Sequence, residues 1–102
     1  MARAYEAQGV TLLARRWRAT AGEIDLILRD GPTLVFCEVK AAKTLDAAKA
    51  RLTPPQMQRI HMAASEFIGR FPQGQLTDVR FDLAHVDFVG QVNVLQDAFA
   101  HF

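Results

Sequence analysis

Apolar residues change their period several times along this chain, and each change marks an element. Ile24, Leu26 and Leu28 recur at every second position, with Glu23, Asp25, Ile27 and Arg29 between and around them. They predict a strand over 23–29 with those three side chains on one face. Residues 34–41 form an apolar run of β-branched and aromatic type, as a central strand covered on both sides requires. Between the two, Asp30-Gly31-Pro32-Thr33 is turn chemistry: glycine supplies positive φ and proline withholds a ladder donor. Val10, Leu12, Leu13 and Trp17 lie among arginines and predict a less regular strand over 10–19. The period becomes helical after Thr53, which reads as an N-cap with Pro54 at the first helical position. Met57, Ile60, Ala64, Phe67, Ile68 and Phe71 then make one apolar face, so the helix should run to about Arg70. Residues 2–8 read as the tail of a helix stopped by Gly9, and 45–52 as a short helix or a loop. Strand character returns at 79–88, with one more candidate strand at 91–96. This order predicts an α/β fold, bordering on α+β, with a central mixed sheet flanked by helices.

Composition narrows the picture. The chain has 102 residues with no repeat, low-complexity tract or linker, so residues 1–102 are expected to form a single domain. Half the residues are apolar, which argues against disorder. No apolar run approaches the roughly 18 residues that a membrane span needs. No secretory leader pattern is visible at the N-terminus, and a cytoplasmic location with no membrane partner is expected. Cys37 is the lone cysteine, so it reads as a small core residue rather than a bridge or a nucleophile. Net charge is only +1, and the distribution says more than the sum. Arg15, Arg16 and Arg18 cluster early, and Lys40, Lys43, Lys49 and Arg51 follow the central strands. On charge alone a solvated mixed surface and a nucleic-acid interface stand about level.

The candidate chemistry comes from pairing the two central strands. On the first, Glu23, Asp25, Ile27 and Arg29 share a face; on the second, Leu34, Phe36, Glu38 and Lys40 do. A turn at 30–33 puts Arg29 opposite Leu34, Asp25 opposite Glu38, and Glu23 opposite Lys40. A tighter turn at 30–31 shifts the partners by two and preserves the parity. Directly opposed residues have Cβ atoms roughly 4.5–5.5 Å apart. Two carboxylates this close repel, and partly buried ones are costly unless paired. A divalent cation would remove both problems. Mg²⁺ takes one or two carboxylates together with waters and phosphate oxygens, which suits Asp25 and Glu38, and the Val39 carbonyl could add another oxygen. Lys40 would sit beside the attacking water and could orient it or stabilise developing charge. The plainer alternative is a salt-bridged hairpin in which Lys40 pairs with Glu23 or Glu38, and the residues alone favour it slightly.

Gly22-Glu23-Ile24-Asp25-Leu26-Ile27 followed by Leu34-Val35-Phe36-Cys37-Glu38-Val39-Lys40 resembles the signature of the uncharacterised bacterial YraN family. That family is assigned by similarity to the PD-(D/E)xK, restriction-endonuclease-like, nuclease superfamily. Leu13-Ala14-Arg15-Arg16-Trp17-Arg18, Arg80-Phe81-Asp82-Leu83-Ala84 and Asp97-Ala98-Phe99 extend the resemblance over nearly the whole chain. The resemblance implies a restriction-endonuclease-like core, metal binding by Asp25 and Glu38 with Mg²⁺ or Mn²⁺ as cofactor, and a catalytic role for Lys40. Glu23 belongs to the pattern and would contact a second metal or pair with Lys40. The implied activity is hydrolysis of DNA phosphodiester bonds, in branched or single-stranded DNA. This chain departs from the pattern in four places. No Gly-x-x-x-Glu pattern precedes Gly9, and superfamily nucleases often use such a helix Glu as a metal ligand. Residue 16 is Arg where Asn is usual, the loop after Lys40 is short, and Gln56 stands where Lys is common.

Around this core, Arg16, Arg18, Lys43, Gln56 and Arg59 are candidates for nucleic-acid contact. Gln56 and Arg59 open the long helix, whose N-terminus favours anions. His61 reads as a core or rim residue, and His85 as a minor candidate for the site. Asp82 and Asp87 read as structural, and Trp17 as core rather than a base-stacking platform. A catalytically weak binding module of the same fold is the second reading, favoured by the missing helix Glu. A homodimer or other assembly through a sheet edge or the Phe99 and Phe102 terminus is the third.

Overall fold

A computed structural model describes residues 2–70 and 78–99. Phe71 and Phe102, to which the sequence assigned helix-face and interface roles, lie outside them. The element order is α1 (Ala2–Glu6), β1 (Thr11–Arg18), β2 (Glu23–Asp30), β3 (Thr33–Ala41), α2 (Leu45–Ala50), α3 (Pro54–Ile68), β4 (Asp78–Val86) and β5 (Val92–Leu95). The α/β fold with a mixed sheet is therefore as the hydrophobic pattern implied. The ambiguous segment after residue 44 is helical because the Thr44 side chain caps it, accepting the Ala47 N–H.

The five strands lie in sequence order, β1-β2-β3-β4-β5. The β1–β2, β2–β3 and β4–β5 pairs are antiparallel, whereas β3–β4 is parallel. A parallel neighbour needs a crossover, and α2 and α3 supply it. The crossover helix lies on one face of the sheet. Ile27, Leu34, Phe36, Phe81 and Leu83 bury that face against Ile60, Ala63, Ala64 and Ile68 of α3. Phe36 stacks on Phe81 at 5.6 Å and meets Phe67 edge-on at 6.0 Å. On the other face, Leu26, Leu28, Val35, Cys37 and Ala84 pack against Tyr5 and Val10. Ile24 departs from expectation: it packs with the α3-side cluster rather than with Leu26 and Leu28. A strict alternation cannot place Ile24 and Ile27 together, so the pleat is broken around Asp25.

The β2–β3 hairpin has the register derived from the turn at 30–33: Arg29 faces Leu34 and Asp30 faces Thr33. Gly31 takes φ 58° there, a left-handed value that glycine adopts at little cost. Thr53 accepts the Gln56 N–H at 3.4 Å and starts α3 with Pro54 behind it. Two ties fix α3 over the β1–β2 turn. Glu66 accepts the Thr20 and Ala21 N–H groups at 3.0 and 3.2 Å, and Trp17 meets Phe67 edge-on at 5.2 Å. Trp17 is thus a packing residue in the structure. Among the described residues no helix is long and apolar enough to cross a membrane.

Candidate active site

The ladder between β2 and β3 ends at Leu26–Cys37. One step further, where the same register would bring Asp25 to Glu38, the strands part. The Val39 N–H donates to Asp25 Oδ2 at 2.8 Å. A continued ladder would have sent that donor to the carbonyl of Ile24, so the Asp25 carboxylate stands in for main chain. A residue in an extended strand directs its N–H and C=O toward the same edge. The Val39 carbonyl therefore faces the same notch.

Glu38 is the buried member of the pair, at 6% exposure. It follows Phe36 on the α3 side, and Gln56 Nε2 donates to Glu38 Oε2 at 2.6 Å. Burial pushes the Glu38 carboxyl up to about 8, and the hydrogen bond and negative charge of Asp25 push in the same direction. Lys40 and the Val39 N–H oppose the rise without cancelling it. Two acids thus share one partly enclosed place, and the proton on Glu38 offsets their repulsion in the absence of a cation. Among the described residues no third His, Cys, Asp or Glu joins them. The donor set is two carboxylates with an adjacent main-chain oxygen. All are hard ligands, and Mg²⁺ or Mn²⁺ fits them if waters or phosphate oxygens complete the shell.

The other candidates distribute unevenly. Lys40 shares the Glu38 side of β3 and makes no ion pair among the described residues. Glu23 does not face Lys40: it pairs with Arg18 across β1–β2, at 3.7 Å, because β2 has already parted from β3. Both side chains of that pair are well exposed, so it adds little stability. Gln56 does not point outward to solvent but braces Glu38, because the first turn of α3 lies over β3. Arg59 and Lys43 are exposed, and the Arg59 Cβ lies 4.0 Å from where a Cβ on Gly22 would be. Arg16 is exposed at the notch and adopts φ 47°.

His85 lies beside Lys40 in the β3–β4 ladder, but its Nε2 is engaged with the Ala42 carbonyl at 2.7 Å. His61 stacks on Phe81 at 3.9 Å and its Nε2 meets the Phe99 carbonyl at 2.8 Å. Asp82 is fully buried and accepts from Tyr5 and Arg80 side chains and the Asp97 N–H, a structural role. Cys37 is buried, which pushes its thiol up to about 12 and makes it a poor nucleophile. Sequence reasoning missed two features: the bond from Gln56 to Glu38, and Arg15 as a wall of the notch. Both depend on how strands and helix are juxtaposed, and no local signal carries either.

Comparison with known proteins agrees with the motif. Residues 1–86 match the model of the uncharacterised protein family UPF0102. A UPF0102 protein of Cereibacter sphaeroides is 52% identical over 100 residues, covering 98% of this chain and 86% of its own length. One from Ruegeria is 50% identical, covering 97% and 80%, and one from Dinoroseobacter shibae is 44% identical, covering 91% and 69%. None of these names carries an activity. This chain belongs to UPF0102, the YraN family that its Glu-x-Asp and Glu-Val-Lys motifs resemble.

Proposed function

We propose that this protein is a metal-dependent nuclease of the PD-(D/E)xK type, hydrolysing phosphodiester bonds in DNA, with branched or single-stranded segments as substrate. One observation carries this reading: a buried Glu38 abuts Asp25 where β2 and β3 part, held by Gln56 rather than by a salt bridge. A purely structural pair of acids would have no reason to be brought together and desolvated. The parallel β3–α3–β4 unit beside an antiparallel hairpin is consistent with a restriction-endonuclease-like core.

Asp25, Glu38 and the Val39 carbonyl would hold Mg²⁺ or Mn²⁺. The ion would supply Lewis acidity and lower the pKa of the attacking water. The chain's own residues do the positioning. The Val39 N–H fixes one Asp25 oxygen, and Gln56 fixes one Glu38 oxygen. A cation would replace the hydrogen bond between Glu38 and Asp25, using the other oxygen of each carboxylate. Lys40 puts a positive charge on the Glu38 side, where it can stabilise charge developing on the phosphoryl oxygens.

The test is incubation with Mn²⁺ and a panel of branched, flapped, linear and single-stranded DNAs. Glu38→Gln and Lys40→Ala should each lower cleavage by about 100-fold or more, a size typical of removing one preorganised electrostatic group. Cleavage persisting unchanged in Lys40→Ala would overturn the mechanism. A second reading, a nucleic-acid-binding module with little or no cleavage, is favoured by the absence of a third acid among the described residues. It predicts salt-dependent DNA binding by the wild type with no Mn²⁺-dependent products.

A further inference from the structure

Arg15 and Arg16 are consecutive in β1 and should point to opposite faces of the sheet. Yet both line one pocket of about 260 Å³, together with Asp25, Leu26 and Val39. The backbone explains this. Arg16 has φ 47°, in the left-handed region, which breaks the alternation of the strand. That conformation costs roughly 1–2 kcal/mol in a residue with a Cβ, and Asn tolerates it better than Arg. Strain retained in this way points to a use.

The pocket opens on the α1 side of the sheet. Arg15 is the cross-strand partner of Leu26, and Leu26 and Val39 both pack with the α1-side cluster. Glu38 and Gln56 lie on the α3 side. Asp25 and Val39 belong to both places, through the Val39 N–H bond to Asp25 and through the pocket wall. Neither arginine forms a hydrogen bond or ion pair among the described residues. Asp25, which also lines the pocket, brings one carboxylate against two guanidinium groups and forms an ion pair with neither. Two uncommitted guanidinium groups thus flank a small polar pocket next to the acidic pair. Guanidinium groups recognise phosphate by paired hydrogen bonds, and the pocket has no aromatic wall on which a base could stack.

We propose that Arg15 and Arg16 clamp one backbone phosphate of a single nucleic-acid strand, next to the phosphate that meets Asp25 and Glu38. This deepens the nuclease reading and rests on nucleic acid being the ligand. A flexible strand can bend over the notch and reach both sides of the sheet, whereas the regular backbone of a duplex cannot present neighbouring phosphates to both. The clamp therefore selects single-stranded segments, including flaps and frayed ends.

The test is fluorescence anisotropy with labelled oligo(dT) of about twenty nucleotides, in EDTA, over a salt series; binding is then read without metal or cleavage. The Arg15→Gln/Arg16→Asn double variant should bind about tenfold more weakly at low salt, with a log–log salt slope shallower by about 0.7, the value for one phosphate contact on a single strand. Arg16→Asn alone should weaken binding while melting no lower than wild type, which separates contact loss from misfolding. Arg18→Gln, on the exposed pair with Glu23, should change neither quantity appreciably. Wild-type binding with unchanged affinity and slope in the double variant would overturn the clamp and leave the nuclease reading standing. Equal losses on a blunt duplex would overturn the selection for single strands. No binding by the wild type would overturn the clamp as well as the nucleic-acid reading. Clamp-dependent binding with no Mn²⁺-dependent cleavage would sustain the clamp and refute the nuclease.

Discussion

Glu38 is where burial, charge and hydrogen bonding meet most directly. Its carboxyl is raised from the ordinary 4.5 to about 8 in the metal-free fold. The folded state therefore holds a proton that the unfolded state has released between these values. Stability from this group is fully present below about 4.5 and is lost as pH rises through 8. Thermal melts in EDTA should show Tm falling across that window, and Glu38→Gln should flatten the fall and melt higher at alkaline pH. A variant as pH-dependent as the wild type would mean that Glu38 does not carry the effect. Mn²⁺ should raise Tm most at the alkaline end, where no proton competes with it. Arg16 makes the opposite kind of prediction. Replacing it with Asn should stabilise the fold by about 1 kcal/mol through relief of the left-handed backbone, measured by chemical denaturation, while weakening DNA binding. A destabilised Arg16→Asn protein would show that the φ value is not a source of strain.

At the scale of elements, α3 matters most because its first turn carries Gln56 to Glu38 and its last turns hold the β1–β2 turn. The Thr53 cap sets where that first turn begins. Thr53→Ala should cost about 0.5–1 kcal/mol, toward the low end because the capping bond is long. Hydrogen exchange should show the loss as faster exchange at Gln56 and Met57, with the end of the helix little changed. Uniform change along α3 would argue against a local cap. At the other end, two main-chain N–H groups hold the Glu66 carboxyl below the ordinary carboxylate range. Acid should release the β1–β2 turn from α3 once that carboxyl is protonated.

For the molecule as a whole, the sheet is covered on both faces, and the α1 side depends on a buried polar network. Asp82 is fully buried, and Arg80 bridges it at 2.9 Å to Asp30 at 3.1 Å. Tyr5 ties α1 to the same carboxylate at 2.8 Å. Burial, with Cys37 and Asp82 as neighbours, raises the Tyr5 hydroxyl far above the ordinary range, so it remains a donor. Removing a charged partner from a buried acid is costly: Arg80→Met should destabilise by about 3 kcal/mol. Tyr5→Phe should cost about 1–2 kcal/mol and free α1 first. Urea unfolding measures both, and an Arg80→Met variant as stable as wild type would show that the network is dispensable.

The chain itself determined most of its elements, because the change from alternation to helical spacing, the cap at Thr53 and the turn at Gly31-Pro32 are local properties; by sequence alone the segment after Thr44 is open between helix and loop. The β2–β3 register was also legible, since a hairpin turn fixes which residues face each other, and with it the meeting of Asp25 and Glu38. Three features were decided only in three dimensions. The strands part after Leu26–Cys37, which sends Glu23 to Arg18 instead of Lys40. The crossover lays Gln56 over Glu38. The left-handed backbone at Arg16 lets two consecutive arginines line one pocket. Local patterns record how each residue sits on its own element; these three depend on how separate elements approach, where packing outweighs propensity.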